Sequence, residues 1–247
     1  LLRQEEGIIG YDGHDSRFQS IAHLNPPQKK QCVRITTSNN NVIECSIDHP
    51  LLMSNIRWAN GKKATFKRAD KIKLGDQLHM AGSVPVFGTK TEKDAYLLGY
   101  SVGDGYFYKD GGIELAVMEP ELQKYFEENY NLSLKKHNPK TGFKSYYVKG
   151  IAKLTKRLEL SGKSKLEKTY PINIHEFNRE SVARFIEGYY DADGNVSLKK
   201  GKYISIVLTS ASEKLLEQMK YLLLKFGIHS SLAKEFRKSG YASESTI

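Results

Sequence analysis

Cysteine is scarce in this chain, with Cys32 and Cys45 the two present among 247 residues. They form no Cys-x-x-Cys pair and join no histidine at zinc spacing, which excludes a zinc-finger type of site. Two cysteines in so long a chain do not make a disulfide framework, so we expect a reducing, cytoplasmic setting. The sequence also lacks a signal peptide and any apolar run near the ~18 residues of a membrane span, so we expect no membrane partner.

Acidic residues are outnumbered, because 38 Lys and Arg against 28 Asp and Glu give a formal net charge of +10. Basic side chains that neutralise phosphates release counterions, so this excess favours a polyanionic partner. A generally Lys-rich, soluble surface would give the same balance, so charge alone does not decide the function. The chain is long enough for one large domain or two ordinary ones.

Residues 1–88 are predicted to form an all-β part. The runs 32–37 and 41–45 are rich in β-branched residues, and Asn and Gly clusters such as Asn60-Gly61 predict turns between strands. Residues 85–91 are predicted to be a linker to a second part, residues 89–247.

The second part alternates helical and strand-like spacing. Helices are predicted over 92–102, 119–130, 151–160, 180–191 and 212–226, with hairpins around 109–112 and 199–202. In the last of these helices Leu215, Met219, Leu222 and Leu223 form one apolar stripe. Because helix–hairpin–helix occurs twice, we expect an α/β (α+β) domain with pseudo-twofold αββαββ repeats, about 92–165 and about 178–247.

One predicted helix in each repeat ends in Asp-Gly, at Asp104 and at Asp193. Small residues recur four apart just before each acid, namely Gly99 and Gly103 in the first repeat and Gly188 and Ala192 in the second. Small residues at this spacing lie on one helix face and let two backbones approach closely. We therefore expect the two helices to pack side by side at the centre of the domain.

This packing would bring two carboxylates together at the negative ends of two helix dipoles, where an anion is disfavoured. Like charges that close are costly unless a cation lies between them. Mg²⁺ is bound by a few carboxylates plus substrate phosphates, and two such ions can activate water against a phosphodiester. A single Asp-Gly is an ordinary helix end, but the pair, Asp104 and Asp193 in register, predicts a metal site.

The segments 97–105 (LLGYSVGDG) and 186–194 (IEGYYDADG) resemble the paired LAGLIDADG motifs of monomeric homing endonucleases. The resemblance implies that Asp104 and Asp193 are catalytic, Mg²⁺-binding acids that cut double-stranded DNA across the minor groove. It also implies a monomer in which each half contributes a curved antiparallel sheet to the DNA major groove. The first copy departs from the family pattern, with Val102 where Asp is frequent and Gly103 in place of Ala.

The same resemblance implies a basic catalytic residue ahead of the second motif. Lys168, in Lys-Thr-Tyr-Pro, occupies that place and would polarise the attacking water or offset transition-state charge. Lys234 and Lys238 are both open as the equivalent in the second half. The strands should supply DNA contacts, and the basic candidates are Lys109, Lys144, Lys149, Lys199, Lys200 and Lys202.

Within residues 1–88, Ser46-Ile-Asp-His49 followed by Pro-Leu-Leu resembles the Thr-x-x-His block of inteins, and residues 69–76 resemble a later intein segment. The resemblance implies an incomplete Hint-like β domain in which His49, with Ser46, assists an acyl shift. Inteins begin with Cys or Ser and end with His-Asn, whereas this sequence begins Leu1-Leu-Arg and ends Ser-Thr-Ile247. Because both splice junctions are absent, we expect splicing, and the host exteins as partners, to belong to a parent protein.

Two other functions stay open from the sequence. A fold of this kind can serve as an RNA maturase or as a nucleic-acid-binding protein that does not cut. The chain could also be a protein-processing module with a decayed nuclease. The presence of both Asp104 and Asp193 weighs against each of these alternatives.

Overall fold

The computed structural model describes residues 7–11, 16–21, 23–54, 65–80, 82–199, 203–234, 236–238 and 244–246. The chain divides into two compact units, the first comprising Leu1–Val86 with Leu223–Ala233 and the second Phe87–Leu222 with Lys234–Ile247. Among helices in these described ranges, none has the length and apolar character needed to cross a membrane.

The described part of the first unit contains antiparallel hairpins. β1 (Gly7–Tyr11) pairs with β2 (Ser16–Ser20), β3 (Cys32–Thr36) with β4 (Val42–Ser46), and β5 (Pro50–Leu52) with β6 (Phe66–Arg68). Between β3 and β4, Asn40 takes a positive φ of 56°, which Asn tolerates better than most residues. The predicted strands 32–37 and 41–45 are therefore present, whereas the predicted turn at Asn60-Gly61 lies outside the described residues.

The described residues from Ala95 to Thr246 follow the order αββαββ twice. The first repeat contains α1 (Ala95–Asp104), β7 (Gly105–Phe107), β8 (Ile113–Val117), α2 (Pro120–Asn129), β9 (Leu132–Asn138) and β10 (Phe143–Val148), followed by α3 (Ala152–Arg157). The second contains α4 (Arg179–Asp193), β11 (Gly194–Lys199), β12 (Tyr203–Leu208), α5 (Glu213–Lys225), β13 (Phe236–Lys238) and β14 (Glu244–Thr246). Mixed helices and antiparallel strands are thus confirmed for this part of the chain.

The two central helices end slightly beyond the helical spacing of the sequence. α1 and α4 run through Asp104 and Asp193, two residues beyond the helical spacing at 92–102 and 180–191, so each acid lies in the last turn of its helix, as the Asp-Gly pattern predicts. The following glycines, Gly105 and Gly194, adopt extended backbone with φ of −95° and −84°, so each chain passes directly from helix into strand. α4 begins where Asn178 caps it, its side chain accepting a hydrogen bond from the Ser181 backbone N–H at 2.9 Å.

The first repeat forms a four-stranded antiparallel sheet in the order β7-β8-β10-β9. One side of it packs into the core and carries Phe107, Ile113, Leu115, Val117, Tyr146 and Val148, all buried. The opposite side, here called the open face, carries Tyr106, Glu114 and Tyr147, which lie side by side in the strand register. Alternation along the strands therefore separates an apolar core side from a polar side.

The hairpin of the second repeat is more exposed than that of the first. In the described residues β11 pairs with β12 alone, and Val196, Leu198, Ile204 and Ile206 on this hairpin are each more than 60% exposed. At the corresponding positions of the first repeat, Phe107 and Ile113 are buried. The predicted apolar stripe of α5, formed by Leu215, Met219, Leu222 and Leu223, is confirmed as buried.

Candidate metal and nucleic-acid site

The centre of the second unit is the contact between α1 and α4. A Cβ built on Gly99 would lie 2.0 Å from the backbone oxygen of Phe185, and one on Gly188 would lie 2.1 Å from the backbone oxygen of Tyr96. The two glycines thus face the partner backbone reciprocally, as a pseudo-twofold axis requires. Only residues without a side chain permit this approach.

The small-residue pattern continues to the ends of both helices. A Cβ on Gly103 would lie 2.4 Å from the Cβ of Ala192 and 3.5 Å from Oδ2 of Asp193. Gly103, which departs from the family pattern, therefore leaves the space that Ala192 occupies. The same contact places the Asp193 carboxylate beside the last turn of α1.

The two carboxyls that meet here have perturbed acidities. Burial, followed by the negative charge of Asp104, raises the pKa of Asp193 from 3.8 to about 6, and Lys168 acts in the opposite direction. Burial also raises the pKa of Asp104, which Lys168 lowers and Glu119 raises further. Each acid therefore lies in surroundings that disfavour its ionised form, chiefly through burial.

Lys168 approaches both acids from the segment that precedes α4. Its Nζ donates a hydrogen bond to the Gly103 backbone oxygen at 2.5 Å. Burial lowers the pKa of Lys168, while the charges of Asp193 and Asp104 raise it. The backbone of Lys168 is fixed as well, because Ser212 Oγ, just before α5, donates to the Lys168 backbone oxygen at 2.8 Å.

The donor set at the α1 and α4 ends fits a hard divalent ion shared with substrate. Within the described ranges no cluster of three or more His, Cys, Asp or Glu side chains could hold a metal by itself. Mg²⁺ is commonly bound by one or two carboxylates together with substrate phosphates, so the Asp104–Asp193 pair is sufficient. A cation there would also offset the burial and the negative charge of Asp104, which together raise the pKa of Asp193.

Two tyrosines outside the predicted site residues fix the helices that carry the acids. Tyr100 donates to the Ala116 backbone oxygen at 3.0 Å, and Tyr189 donates to the Thr209 backbone oxygen at 2.9 Å. Each tyrosine follows a packing glycine within a motif and ties its helix to the end of the next hairpin. The recurrence of Gly-Tyr in both motifs was the signal that could have indicated them.

The predicted DNA-contacting lysines have different surroundings. Lys109 and Lys149 are exposed. Lys144 points to the helix side of the sheet, where its Nζ lies 3.0 Å from Oε1 of Glu127 on α2. Lys199 ends β11, and Lys200 and Lys202 lie outside the described residues.

The two candidates for a second basic catalytic residue also differ. Lys234 forms an ion pair with Glu213 at 2.7 Å, at the start of α5. The side chain of Lys238 lies outside the described residues. In the described part of the site, therefore, Lys168 is the basic residue whose charge acts on both acids.

In the first unit, the two segments singled out by sequence come together. The Ala69 backbone N–H donates to the His49 oxygen at 2.9 Å, and the Asp70 N–H donates to the Ile47 oxygen at 3.0 Å. The Ser46 side chain is half-buried and that of His49 is exposed. Residues 46–49 thus form a turn that lies directly against residues 69–70.

The raised pKa of Asp193 makes the stability of the folded chain depend on pH. In metal-free solution the Asp193 contribution to stability should fall as the pH rises from about 4 to about 6, because the folded chain then holds a proton that the unfolded chain has released. At about pH 7.5, Asp193→Asn should be more stable than the unchanged protein by roughly 1–2 kcal/mol, a figure reduced for solvent access. Urea unfolding of both proteins in EDTA across this pH range measures the difference.

The difference between the two proteins should be small near pH 4 and should stop growing above about pH 7. A difference in unfolding free energy that stayed constant from pH 4 to 8 would contradict the raised pKa. Asp94→Asn provides a comparison at a second half-buried acid whose pKa is raised by burial rather than by Asp104.

Comparison with known families adds one result. Residues 180–246 match the family model described as "LAGLIDADG-like domain". The matched residues contain α4, Asp193 and the strands and helix that follow.

Several curated proteins are similar to the chain over most of its length. In Methanocaldococcus jannaschii these include the replication factor C small subunit, 26% identical over 94% of this chain and 12% of that protein. The ATP-dependent DNA helicase Hel308 is 29% identical over 86% of this chain and 18% of that protein. Glutamine–fructose-6-phosphate aminotransferase is 31% identical over 68% and 16%. The chain thus spans less than a fifth of the length of each.

Among solved structures, the chain is similar to the crystal structure of I-DmoI in complex with DNA and Mn. The identity is 18%, the TM-score is 0.33, and the match covers 60% of this chain and 82% of that one.

Proposed function

We propose that this chain is a site-specific, divalent-metal-dependent endonuclease of the LAGLIDADG type that cuts double-stranded DNA. The observation that carries the proposal is the pair Asp104 and Asp193 at the ends of two helices in backbone contact. The match of residues 180–246 to the LAGLIDADG-like family supports it for the second acid. The formal net charge of +10 supports a polyanionic substrate.

In this function Asp104 and Asp193 would hold Mg²⁺, with the phosphates to be cut completing its ligands. The bound ion would supply a Lewis acid that activates water and stabilises the leaving oxygen. Lys168, positioned by its bond to the Gly103 oxygen and held through Ser212, places a positive charge next to the reacting phosphate. That charge offsets the negative charge that develops in the transition state. Because both acids come from one chain, a monomer is sufficient.

Cleavage of DNA by the purified chain should require a divalent ion and should concentrate at one long sequence. Genomic fragments or a randomised double-stranded library are incubated with Mg²⁺, and the newly formed ends are captured and sequenced. EDTA should abolish the ends, because two carboxylates without a metal cannot activate water. An RNA library is tested in parallel, since binding of structured RNA without DNA ends would favour the maturase function instead. Uniform absence of metal-dependent ends would contradict the proposal.

We further propose that the parent protein is a self-splicing intein in which Ser46 and His49 assist the acyl shift. The similar proteins support this, because a replication factor subunit, a helicase and an aminotransferase share no named activity yet contain a segment like this chain. A shared insert explains that pattern better than a shared reaction. The contact of residues 46–49 with residues 69–70 supports it as well. The full reading frame decides it, since an intein requires a Cys or Ser at its start and His-Asn at its end.

A further inference from the structure

A polar cluster lies on the open face of the first sheet, apart from the two acids. Its members are Tyr108, Glu114, Lys135 and Ser145. The Tyr108 hydroxyl donates to Oε2 of Glu114 at 2.5 Å, and the Ser145 hydroxyl donates to Oε1 of the same carboxylate. Lys135 Nζ donates to the Tyr108 oxygen at 2.8 Å and to Glu114 Oε2 at 3.2 Å. We call these four residues the Glu114 cluster.

Glu114 is ionised within this cluster. Burial raises its pKa, but hydrogen bonds from Ser145, Tyr108 and Lys135 outweigh burial and hold the pKa at about 2. An anion on a surface that faces DNA phosphates is unfavourable unless a cation neutralises it. Lys135 provides that cation, so the pair carries no net charge.

Lys135 lies at a bulge in β9. Leu134 pairs with Tyr146 and Lys136 pairs with Ser145, which leaves Lys135 as the extra residue between them. β-bulges re-aim a side chain, and they are frequent next to functional sites.

The Lys135 ammonium group is fixed on three sides. It donates two hydrogen bonds within the cluster and lies 5.1 Å from the centre of the Tyr108 ring. That ring packs edge-on against Tyr106 at 4.8 Å and lies 6.0 Å from Tyr147. An ammonium group has three donors, so one N–H of Lys135 is left to bind a ligand.

A lysine that binds phosphate acts through its charge and a flexible stem, whereas the charge of Lys135 is balanced by Glu114 and its ammonium group is held by two hydrogen bonds. An oriented donor whose charge is balanced by a neighbouring carboxylate is suited to a base edge, because base-edge contacts specify sequence and guanine presents two acceptors, O6 and N7, in the major groove. We propose that Lys135 is a specificity-determining residue that donates to a guanine acceptor, with Glu114 and Tyr108 as positioning residues. This inference rests on the proposed function.

The test compares sequence preference with salt dependence. Unchanged protein, Lys135→Met and Lys136→Met each select bound duplexes from one randomised DNA library in Ca²⁺, and binding of the selected site is then measured across salt. Lys135→Met should reduce discrimination at one G·C pair by roughly 10- to 100-fold and leave the other positions unchanged. Lys136→Met, the matched control on the same strand, should weaken binding at every position about equally and reduce the salt slope by about one.

Two further variants keep the inference testable if Lys135→Met is unstable. Tyr108→Phe removes one hydroxyl and should relax preference at the same base pair. Glu114→Gln keeps the shape but frees the Lys135 charge, so it should relax that preference while steepening the salt dependence. Identical preferences for unchanged protein, Lys135→Met and Tyr108→Phe would overturn the inference while leaving the proposed function intact. If unchanged protein selected no sequence and made no DNA ends, the proposed function itself would fail.

Discussion

Replacing either central aspartate by asparagine should abolish DNA cleavage, with a loss of at least about 10³-fold for Asp104→Asn and for Asp193→Asn. Asparagine keeps the shape of each side chain but loses the charge that binds a divalent ion. Binding of DNA should stay within a few-fold of the unchanged protein, because the open face of the sheet is untouched. Cleavage rates and gel-shift titrations on the DNA recovered from the library measure the two effects separately.

Asp191→Asn is the matched control for this prediction. Asp191 lies two residues before Asp193 on α4, but its carboxylate accepts a hydrogen bond from the Tyr96 hydroxyl at 2.7 Å on another side of the helix. This variant should cut at close to the unchanged rate. Wild-type cleavage by an Asp104→Asn, Asp193→Asn double variant would show that the pair is not the metal site.

The same substitutions separate activity from stability. Asp193→Asn should lose cleavage and yet be more stable than the unchanged protein in EDTA near pH 7.5, because it removes a carboxylate whose charge is disfavoured by burial and by Asp104. Adding Mg²⁺ should stabilise the unchanged protein more than the variant, since an ion that binds only the folded state shifts the equilibrium toward it. The Asp193 carboxylate therefore lowers the stability of the folded chain until the metal and the DNA phosphates bind.

The parts of the fold that depend on local patterns could be predicted from the sequence. Helical spacing, Asp-Gly ends and the recurrence of small residues indicated α1, α4 and their close approach. The stripe that begins at Leu215 is buried as expected. Helix ends were less accurate, because Asn178 and Gly194 fix them through a capping hydrogen bond and a change to extended backbone, which periodicity does not encode.

Features that depend on pairing between distant residues could not be predicted. Lys144 and Lys135 look alike in the sequence, but the folded sheet places one beside Glu127 and the other beside Glu114. The predicted hairpin around 199–202 is present, but the sequence does not show that Val196 and Ile206 on it are exposed. Burial of one strand face depends on what packs over it, and that information lies elsewhere in the chain.

Replacing Gly188 by leucine should destabilise the second unit by about 4 kcal/mol or more, a large part of the stability of an ordinary domain. Even the first carbon of the new side chain would lie 2.1 Å from the Tyr96 oxygen and 2.9 Å from the Tyr100 nitrogen. Both neighbours belong to helix backbone, so no rotamer relieves the overlap, and α1 and α4 must move apart. Because Gly188→Ala carries the same Cβ, it should destabilise as well, by a smaller amount.

Gly82→Leu is the control for a glycine-to-leucine change without a packing cost, since a Cβ there meets no atom within 4 Å and Gly82 does not have a positive φ. Urea unfolding monitored by circular dichroism should show Gly82→Leu within about 1 kcal/mol of the unchanged protein and Gly188→Leu far below it. Separation of the helices would also draw Asp104 away from Asp193, so any folded Gly188→Ala should bind Mg²⁺ more weakly. Equal stability of Gly188→Leu and the unchanged protein would mean that the helices do not pack through these glycines, and that the two acids have no common site.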